Sequence, residues 1–346
     1  MELKMEESGQ TKRGKNNITG ERGGKKELKK VSIKQMENKQ IRIVFMGSPD
    51  YGVAVLNPLV EKFSLIAVYT QPDKPVGRKK ILTPTPVKKR AVELEIPVFT
   101  PSHLKKEVNR LKQLKPDFIV TAAYGLLLPE EILAIAPAIN LHGSLLPKYR
   151  GASPIQSALL NREWQTGVTA ILMEKRLDAG PILGWKCTEI GKKNSIELYR
   201  ELGELAGELA VEVIERFSEI EPLPQLEAFA SYCKKIQKED GKISFEMEAI
   251  EIWNRYRAFQ PWPQIFTSQF KLLKIELAEI KEDAKNRNSL LFQRVGKPGE
   301  IVEINRKEGW GMVACGKGAI KIYTVQPPGK RPMGFLDYLN GVKNLQ

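Results

Sequence analysis

Short apolar runs alternate with helical segments from Ile41 onward, and this alternation constrains the fold more than any other feature. The first run, Ile41–Met46, contains three β-branched residues and ends at a tight turn, where Ser48 or Asp50 can cap a helix. Later runs predict buried strands, with helical patterns between them. Those strands are expected at 64–70, 117–122, 138–142, 166–173 and 182–190. This order predicts an α/β domain with a doubly wound, largely parallel sheet.

The carboxyl end of this domain is predicted to be one long helix. Apolar residues recur at three- and four-residue steps over 195–217, so one face of the segment is apolar. Asn194 and Glu197 have the spacing of a capping box, in which each side chain binds the backbone amide of the other residue. We therefore expect the α/β domain to span 41–217.

The pattern changes beyond this helix. Residues 218–235 contain two prolines and no periodic element, and we interpret them as a linker. Short β-rich pieces separated by turns then predict a small C-terminal β-barrel at 236–346, of the five-stranded oligonucleotide-binding (OB-like) kind. Residues 1–40 are polar and basic, with no amphipathic period, and we predict a disordered extension. Because Met36 lies five residues before the first strand, an alternative start of translation at this residue is a further hypothesis.

Charge and cysteine content narrow the class of protein. The 346 residues include 55 Lys and Arg against 41 Asp and Glu, a formal charge of +14, so a polyanionic partner is worth testing. The three cysteines are too scattered for a disulfide framework or a clustered metal site. No run approaches the roughly 18 apolar residues of a membrane span. We expect a cytoplasmic protein without metal and, since no heptad pattern demands a partner, a monomer.

The turn after the first strand argues against a dinucleotide cofactor. Dinucleotide-binding domains place G-x-G-x-x-G at this point, so that the backbone can approach a pyrophosphate. Residues 47–52 read GSPDYG instead. This sequence lacks the second glycine, and Pro49 and Asp50 stand where a phosphate needs free N–H groups and no negative charge. Binding of NAD or FAD is therefore not expected.

The segment 140–151, NLHGSLLPKYRG, carries candidate catalytic groups. His142 is one of only two histidines and ends a predicted strand, at the edge where doubly wound sheets place their ligands. Asn140 lies two residues earlier, so both side chains project to the same side. An amide donor and an imidazole at one point can stabilise an oxyanion and move a proton. The alternative is a histidine that only satisfies buried backbone groups.

A carboxylate is needed to orient and charge that imidazole. Asp178 lies within the sequence LDAGP at 177–181, in a predicted turn between the last two strands of the domain. An acid in such a turn often serves only the hydrogen bonds of the turn itself. Its spacing alone therefore leaves both roles open.

Taken together, these residues resemble the signature of the 10-formyltetrahydrofolate-dependent formyltransferases, in which Asn-x-His-x-Ser-Leu-Leu-Pro is followed by Leu-Asp-x-Gly. The resemblance covers about residues 41–346. The other matching stretches are FMGSP at 45–49, TQPDKPVGR at 70–78, AYG at 123–125, YRGA at 149–152, TGVT at 166–169, RAFQPWP at 257–263 and GKRPM at 329–333. The resemblance implies a Rossmann-like formyltransferase domain followed by an OB-like barrel.

The resemblance also implies roles for individual residues. Asn140, His142 and Asp178 would catalyse transfer of the formyl group from 10-formyltetrahydrofolate to an amine, without a metal. The segment that matches the family's folate contact consists of Ser144, Leu145, Leu146 and Pro147. The chain departs from the family pattern beside the acid, with Ala179 and Pro181 where Thr and a second Asp are common.

Asn140, His142 and Asp178 form a triad that does not distinguish between acceptors. Family members that act on a glycinamide nucleotide, an aminoarabinose nucleotide-sugar or water share these residues, so the acceptor amine is selected by residues outside the triad. Residues 71–90 hold seven basic groups and one acid, and they resemble the tRNA-contacting insertion of the member that formylates initiator Met-tRNA. A merely solvated surface is the alternative. The predicted tRNA-binding residues are Arg78, Lys79, Lys80, Lys88, Lys89, Lys330 and Arg331. Arg255 and Arg257 would extend this contact, while Trp262 is expected in the core.

We therefore expect formylation of the methionyl amino group on initiator tRNA, for translation initiation. A small-molecule formyltransferase is the alternative within catalysis, although it would leave the basic loop and the barrel without a task. An RNA-binding protein without activity is the alternative from another class. The intact Asn, His and Asp residues argue against it, because binding RNA requires none of them.

Overall fold

The computed structural model describes residues 41–77, 79–278 and 295–341. The α/β part begins with the expected alternation of strands and helices. Its strands are β1 (Arg42–Gly47), β2 (Ser64–Tyr69), β3 (Lys74–Val76), β4 (Ile81–Thr83), β5 (Val98–Phe99), β6 (Phe118–Ala122), β7 (Ala138–His142), β8 (Arg150–Gly151), β9 (Gln165–Leu172) and β10 (Ile182–Glu189). Its helices are α1 (Asp50–Lys62), α2 (Pro86–Glu93), α3 (Val108–Leu114), α4 (Glu130–Leu133), α5 (Pro154–Leu160) and α6 (Ser195–Glu215).

Seven of these strands form one sheet in the order β10-β9-β7-β6-β1-β2-β5. The five strands from β7 to β5 are parallel, and β9 and β10 add an antiparallel edge. The chain builds outward from β1 in one direction through β2 and in the other through β6. This reversal is a topological switch point, where doubly wound sheets bind ligands outside the carboxyl ends of the strands. The predicted fold class is confirmed.

The apolar run of β1 is continuous because both faces of the sheet are covered. Ile43 and Phe45 pack in a core with α1, α5 and α6. Val44 and Met46, which point the other way, pack in a second core with α3 and α4. Alternate side chains of one strand therefore hold the two helical layers, and β1 is fixed at the centre of the sheet.

Helix α6 packs along α1 on one face of the sheet. Its predicted capping box is confirmed, because the Asn194 side chain accepts from the backbone of Glu197 and the Glu197 side chain accepts from the backbone of Asn194. Gly203 and Gly207 of α6 face Ala54 of α1, and a Cβ on Gly207 would lie 2.6 Å from the Ala54 carbonyl oxygen. The small residues therefore let the two helices approach closely.

The predicted cap of α1 was wrong. Pro49 occupies the N-cap position, and no side chain caps the helix. The Ser48 hydroxyl instead donates to the Tyr124 carbonyl oxygen and accepts from the Gln71 amide. The serine is therefore committed to the loops at the carboxyl edge of the sheet, while Asp50 lies in the first turn, where its charge favours the helix dipole.

The segment 218–235, interpreted as a linker, is folded against the α/β part. It contains a 3-10 turn at Glu227–Phe229 and a short strand, β11 (Tyr232–Cys233), which pairs in parallel with β8. Leu223 also forms a β-bridge with Ile182. Sequence reasoning missed these pairings because two-residue strands have no periodicity.

The described residues of the C-terminal part form an antiparallel sheet with two α-helices. Its strands are β12 (Ile265–Phe266), β13 (Lys271–Leu277), β14 (Ile301–Asn305), β15 (Trp310–Ala314), β16 (Ala319–Gln326) and β17 (Met333–Gly334). The order is β12-β13-β16-β15-β14, with β17 also paired to β16, which is consistent with the predicted small barrel. Its helices, α7 (Ala249–Ala258) and α8 (Phe335–Asn340), were not predicted.

Trp262 was predicted in the core, and this is wrong. Its side chain is 56% exposed, because it lies between two prolines in the turn that joins α7 to β12. The predicted disorder of 1–40 falls outside the described residues. Within the described part of the chain, no helix is long and apolar enough to cross a membrane.

The close approach of α1 and α6 can be tested with Gly207→Ala. Alanine improves helix propensity by about 1 kcal/mol, but overpacking costs about 1–3 kcal/mol, and here the added methyl meets backbone. We expect the free energy of unfolding in urea to fall by about 1 kcal/mol. Glu204→Ala on the exposed face of α6 is the control and should not destabilise. A more stable Gly207→Ala protein would contradict this packing.

Candidate active site

The candidate catalytic residues meet at the carboxyl edge of the sheet, beside the switch point. Asn140 and His142 are on β7, and Asp178 lies in the connection from β9 to β10. Asp178 has a φ of +51°, in the left-handed region that few residues other than glycine adopt easily. Gly180 passes so close to the Leu172 carbonyl oxygen that a Cβ would overlap it. This tight turn directs the carboxylate back over β7.

The three side chains contact one another. Asn140 Nδ2 donates to Asp178 Oδ1 at 3.3 Å. His142 Nδ1 lies 3.6 Å from Asp178 Oδ2, and the two side chains are only 6% and 10% exposed. One carboxylate therefore faces both groups that the sequence placed on one side of a strand.

A backbone contact determines which nitrogen of His142 carries a hydrogen. His142 Nε2 lies 2.9 Å from the Tyr149 carbonyl oxygen. Because a carbonyl oxygen only accepts, Nε2 must be the donor. Nδ1 is then the atom that gains or loses a proton, and it faces Asp178.

Thr121 fixes the orientation of the Asn140 amide. Its hydroxyl donates to Asn140 Oδ1 at 2.8 Å, so Nδ2 must face Asp178. One hydrogen of Nδ2 points to the carboxylate, and the second is left to donate to a ligand oxygen. Sequence reasoning missed Thr121, although it lies near the carboxyl end of β6, in register with Asn140 on β7.

The Asp178 carboxylate is also held by backbone. Gly151 N donates to Asp178 Oδ2 at 2.9 Å. Gly151 has a φ of +121°, and a Cβ there would overlap the carbonyl oxygen of Cys233 on β11. The glycine in the YRGA stretch is therefore required by the pairing of β8 with β11, which presents this amide to the Asp178 carboxylate.

Cys233 is close to the site and stays neutral. The Ser153 amide donates to its sulfur at 3.3 Å. Burial raises the pKa of the Cys233 thiol, and the negative charge of Asp178 raises it further. The thiol therefore adds no second negative charge beside the carboxylate.

Two cavities flank the triad. The first, of about 340 Å³, is bordered by Asp178 and combines the apolar side chains of Leu127, Leu128, Met173 and Leu177 with charged ones at its walls, among them Lys105, Glu130 and Lys175. The second, of about 570 Å³, has aromatic walls that include Trp164, Trp185 and Phe229, whose side chains are exposed.

The predicted folate-contacting segment lies on the second cavity. Leu145, Leu146 and Pro147 line it. Ser144 is fully buried, and its hydroxyl donates to the Lys148 carbonyl oxygen at 2.6 Å. None of these four residues lines the first cavity, which Asp178 borders. The folate role of this segment stays a prediction.

The basic stretch at 71–90 forms a hairpin and the helix that follows it. Strands β3 and β4 pair in antiparallel, and Lys79 and Lys80 are exposed at the tip. Lys88 is not free, because its ammonium group lies 2.8 Å from the Asp73 carboxylate. Lys89 is exposed, as are Lys330 and Arg331 in the C-terminal part. Arg78 is outside the described residues.

Arg257 does not fit the predicted extension of the basic surface. Its side chain is buried, and Nη1 donates to the carbonyl oxygens of Gly191 and Lys193. It therefore joins α7 to the loop before α6. Arg255 donates to Glu251 and to the Asp240 carbonyl oxygen. Among the described residues, no group of three His, Cys, Asp or Glu side chains is placed to hold a metal ion.

The fold and the triad define a class: α/β enzymes that activate a carbonyl carbon at the switch point of a doubly wound sheet. A family model described as formyl transferase matches residues 41–214, and one for the C-terminal domain of formyl transferases matches residues 235–343. The chain belongs to the formyl transferase family, whose members are one-carbon transferases. The resemblance inferred from the motifs is confirmed.

Similar proteins cover nearly the whole chain. The methionyl-tRNA formyltransferase of a Nitratiruptor species is 49% identical over 307 residues, which span 87% of this chain and 97% of that protein. The methionyl-tRNA formyltransferase of Campylobacter curvus is 47% identical over 308 residues, 87% of this chain and 97% of that protein.

Solved structures share the fold. An N-formyltransferase from Helicobacter canadensis, in complex with folinic acid and dTDP-3-aminofucose, has a TM-score of 0.60 at 21% identity, covering 83% of this chain and 99% of that one. HypX from Aquifex aeolicus, in complex with tetrahydrofolic acid, has a TM-score of 0.57 at 18% identity, covering 87% of this chain and 47% of that one.

Proposed function

We propose that this protein transfers the formyl group of 10-formyltetrahydrofolate to the amino group of methionine on initiator Met-tRNA, for use in translation initiation. The observation that carries the proposal is a sequence identity of 49% to a methionyl-tRNA formyltransferase, over 87% of this chain. The cluster of Asn140, His142 and Asp178 at the switch point supports it. Formyl transfer needs a hydrogen-bond donor to the oxyanion and a group that carries protons, both next to the reacting carbon.

The chemistry follows from the contacts of the three residues. The methionyl amine attacks the formyl carbon, so a C–N bond forms and the carbonyl oxygen becomes an oxyanion. The free N–H of Asn140 donates to that oxyanion, and the positive charge of the protonated His142 imidazole stabilises it. The oxyanion then collapses, the bond from carbon to N10 of the folate breaks, and N10 gains a proton while the amine loses one. The Asp178 carboxylate holds Nδ1 in position during this exchange.

The donor is proposed to enter the first cavity. Asp178 itself borders this space, and the apolar side chains of its walls suit a flat heteroaromatic ring. A formyl group presented from this side would lie next to the carboxylate and the Asn140 amide. The second cavity, which Leu145, Leu146 and Pro147 line, is not assigned to the donor.

The acceptor tRNA is proposed to be held by exposed cations outside the triad. Lys79, Lys80 and Lys89 are exposed on the hairpin and α2, and Lys330 and Arg331 are exposed in the C-terminal part. Such groups bind phosphates without reading sequence. We infer an α/β domain at 41–217 and a tRNA-binding barrel at 236–346, connected by residues 218–235, in a cytoplasmic monomer.

Formyl transfer tests the proposed function directly. Charged initiator Met-tRNA is compared with charged elongator Met-tRNA, glycinamide ribonucleotide and a no-acceptor control. We expect initiator-selective transfer, which Asp178→Asn and His142→Ala reduce by at least about 100-fold in kcat while affinity for Met-tRNA stays within about twofold. Consumption of the donor without a tRNA product would favour a small-molecule or hydrolytic activity. Binding of tRNA without transfer would favour an RNA-binding protein.

The role of the hairpin is tested with Lys79→Gln/Lys80→Gln. Each phosphate contact releases a counterion from the tRNA, so the loss of a contact weakens binding and its dependence on salt. We expect a higher KM for tRNA with kcat unchanged, and a slope of log K against log salt that is shallower by roughly one unit per contact. Lys112→Gln/Lys115→Gln removes the same charge from the exposed end of α3 and is the matched control. An equal effect of both pairs would indicate only a general charge effect.

The position of the donor is tested with two exposed leucines. Leu127→Asp places a charge on the first cavity and Leu226→Asp on the second. We expect Leu127→Asp to raise the KM for 10-formyltetrahydrofolate about tenfold, equivalent to about 1.4 kcal/mol, and Leu226→Asp to leave it within about twofold. The reverse result would place the donor on the Leu145–Pro147 side, as the sequence predicted.

A further inference from the structure

The segment between the two domains returns to the catalytic loop through Gln225. Its side-chain Nε2 donates to the carbonyl oxygen of Asp178 at 2.9 Å and to that of Gly180 at 2.7 Å. An amide nitrogen has two hydrogens, so both are used by this one loop. The two acceptors flank Ala179, and together they clamp the turn that carries the catalytic acid.

The orientation of the Gln225 amide is determined by Arg150. Gln225 Oε1 accepts from Arg150 Nε at 3.1 Å and from Nη2 at 2.8 Å. A guanidinium has only donors. If the amide were reversed, its NH2 group would face the Arg150 donors, and its oxygen would face the two carbonyl oxygens of the loop. Only one rotamer satisfies all four contacts.

Arg150 is itself held in place. Its side chain is 1% exposed, and it binds the Glu227 carboxylate in a bidentate pair at 3.0 and 3.1 Å. Arg176, two residues before Asp178, donates to the same carboxylate at 3.1 Å. Gln225 and Glu227 thus bind two parts of the site. One is Arg150, which precedes the Gly151 amide on Asp178, and the other is the loop that carries Asp178.

These contacts act where the backbone needs them. Asp178 has a positive φ, a conformation that is unfavourable for an L-residue and is kept because surrounding contacts compensate its cost. Gln225 binds the carbonyl oxygen of Asp178 itself and that of Gly180, while the Gly151 amide fixes the Asp178 carboxylate. The distance from Asp178 to His142 Nδ1 is therefore set partly from outside the α/β domain.

We propose that Gln225 is a positioning residue for formyl transfer, which acts through Asp178 and touches neither substrate's reacting atoms. The proposal rests on the proposed function. Its consequence is specific: loss of the Gln225 contacts displaces the carboxylate from Asn140 and His142 and slows the chemical step, while both substrates bind as before.

The test uses Gln225→Glu and Gln225→Met in the full chain. Gln225→Glu keeps the shape and an acceptor for Arg150 but has no hydrogens for the loop, so the fold is preserved while the clamp is lost. Gln225→Met removes the same hydrogen bonds without adding a charge. Gln113→Glu on the exposed face of α3 is the matched control. We expect both Gln225 variants to lower kcat about 10- to 100-fold, to change the pH profile of kcat, and to keep both KM values within about twofold.

A second readout needs no substrate. The chain has only two histidines, His103 and His142, so the imidazole resonances in an NMR spectrum are few. Both Gln225 variants, like Asp178→Asn, should move the His142 resonances and leave those of His103 in place. Gln113→Glu should move neither.

Two outcomes would overturn the positioning role. One is an unchanged kcat with unmoved His142 resonances in both variants. The other is a raised KM for tRNA at constant kcat, which would assign Gln225 to substrate binding. Wild-type protein is assayed in the same series, so failure of the wild type to formylate Met-tRNA counts against the proposed function alone. The histidine spectra then decide on Gln225 independently.

Discussion

One carboxylate holds the site together. Asp178 binds the Asn140 amide with one oxygen and faces His142 Nδ1 and the Gly151 amide with the other. These partners come from β7 and β8, and the acid comes from the loop after β9. A charged acceptor with several donors is worth more than separate neutral pairs, and burial strengthens each contact. The arrangement of the surrounding loops follows from the need to keep this carboxylate in place.

The doubly wound part was predictable because its signals are local. The run at β1 is apolar at every position but one, which predicted a strand covered on both faces, and the capping box at Asn194 correctly marked the start of α6. The convergence of Asn140 and His142 followed from the two-residue period of a strand. The cap of α1 was not predictable, since Ser48 has the right residue type but is engaged by Tyr124 and Gln71 across the carboxyl edge of the sheet.

The rest of the site depends on contacts between distant parts of the chain. Gln225 lies 47 residues from Asp178, in a proline-containing segment with no period, and a single glutamine there carries no signal of its role. Arg257 shows the same limit, because its charge suggested a nucleic acid contact, whereas burial commits its guanidinium to backbone carbonyls. The charge of a side chain can be read from the sequence, but whether a charged side chain is exposed or paired cannot. For that reason Lys79 and Lys80, which are exposed, and Lys88, which is paired with Asp73, looked equivalent until their surroundings were known.

The parallel pairing of β8 with β11 has a consequence for where the catalytic unit ends along the chain. A chain cut after α6 would keep every residue of the triad and the whole seven-stranded sheet. It would lack β11, the strand that pairs with β8 at Gly151. Without this pairing, the Gly151 backbone amide would no longer be held in position to bind the Asp178 carboxylate. Such a fragment would hold an unfinished site even with its sheet intact. In exchanges of C-terminal domains between relatives, the functional junction therefore lies after β11, and residues 218–235 belong with the domain that precedes them.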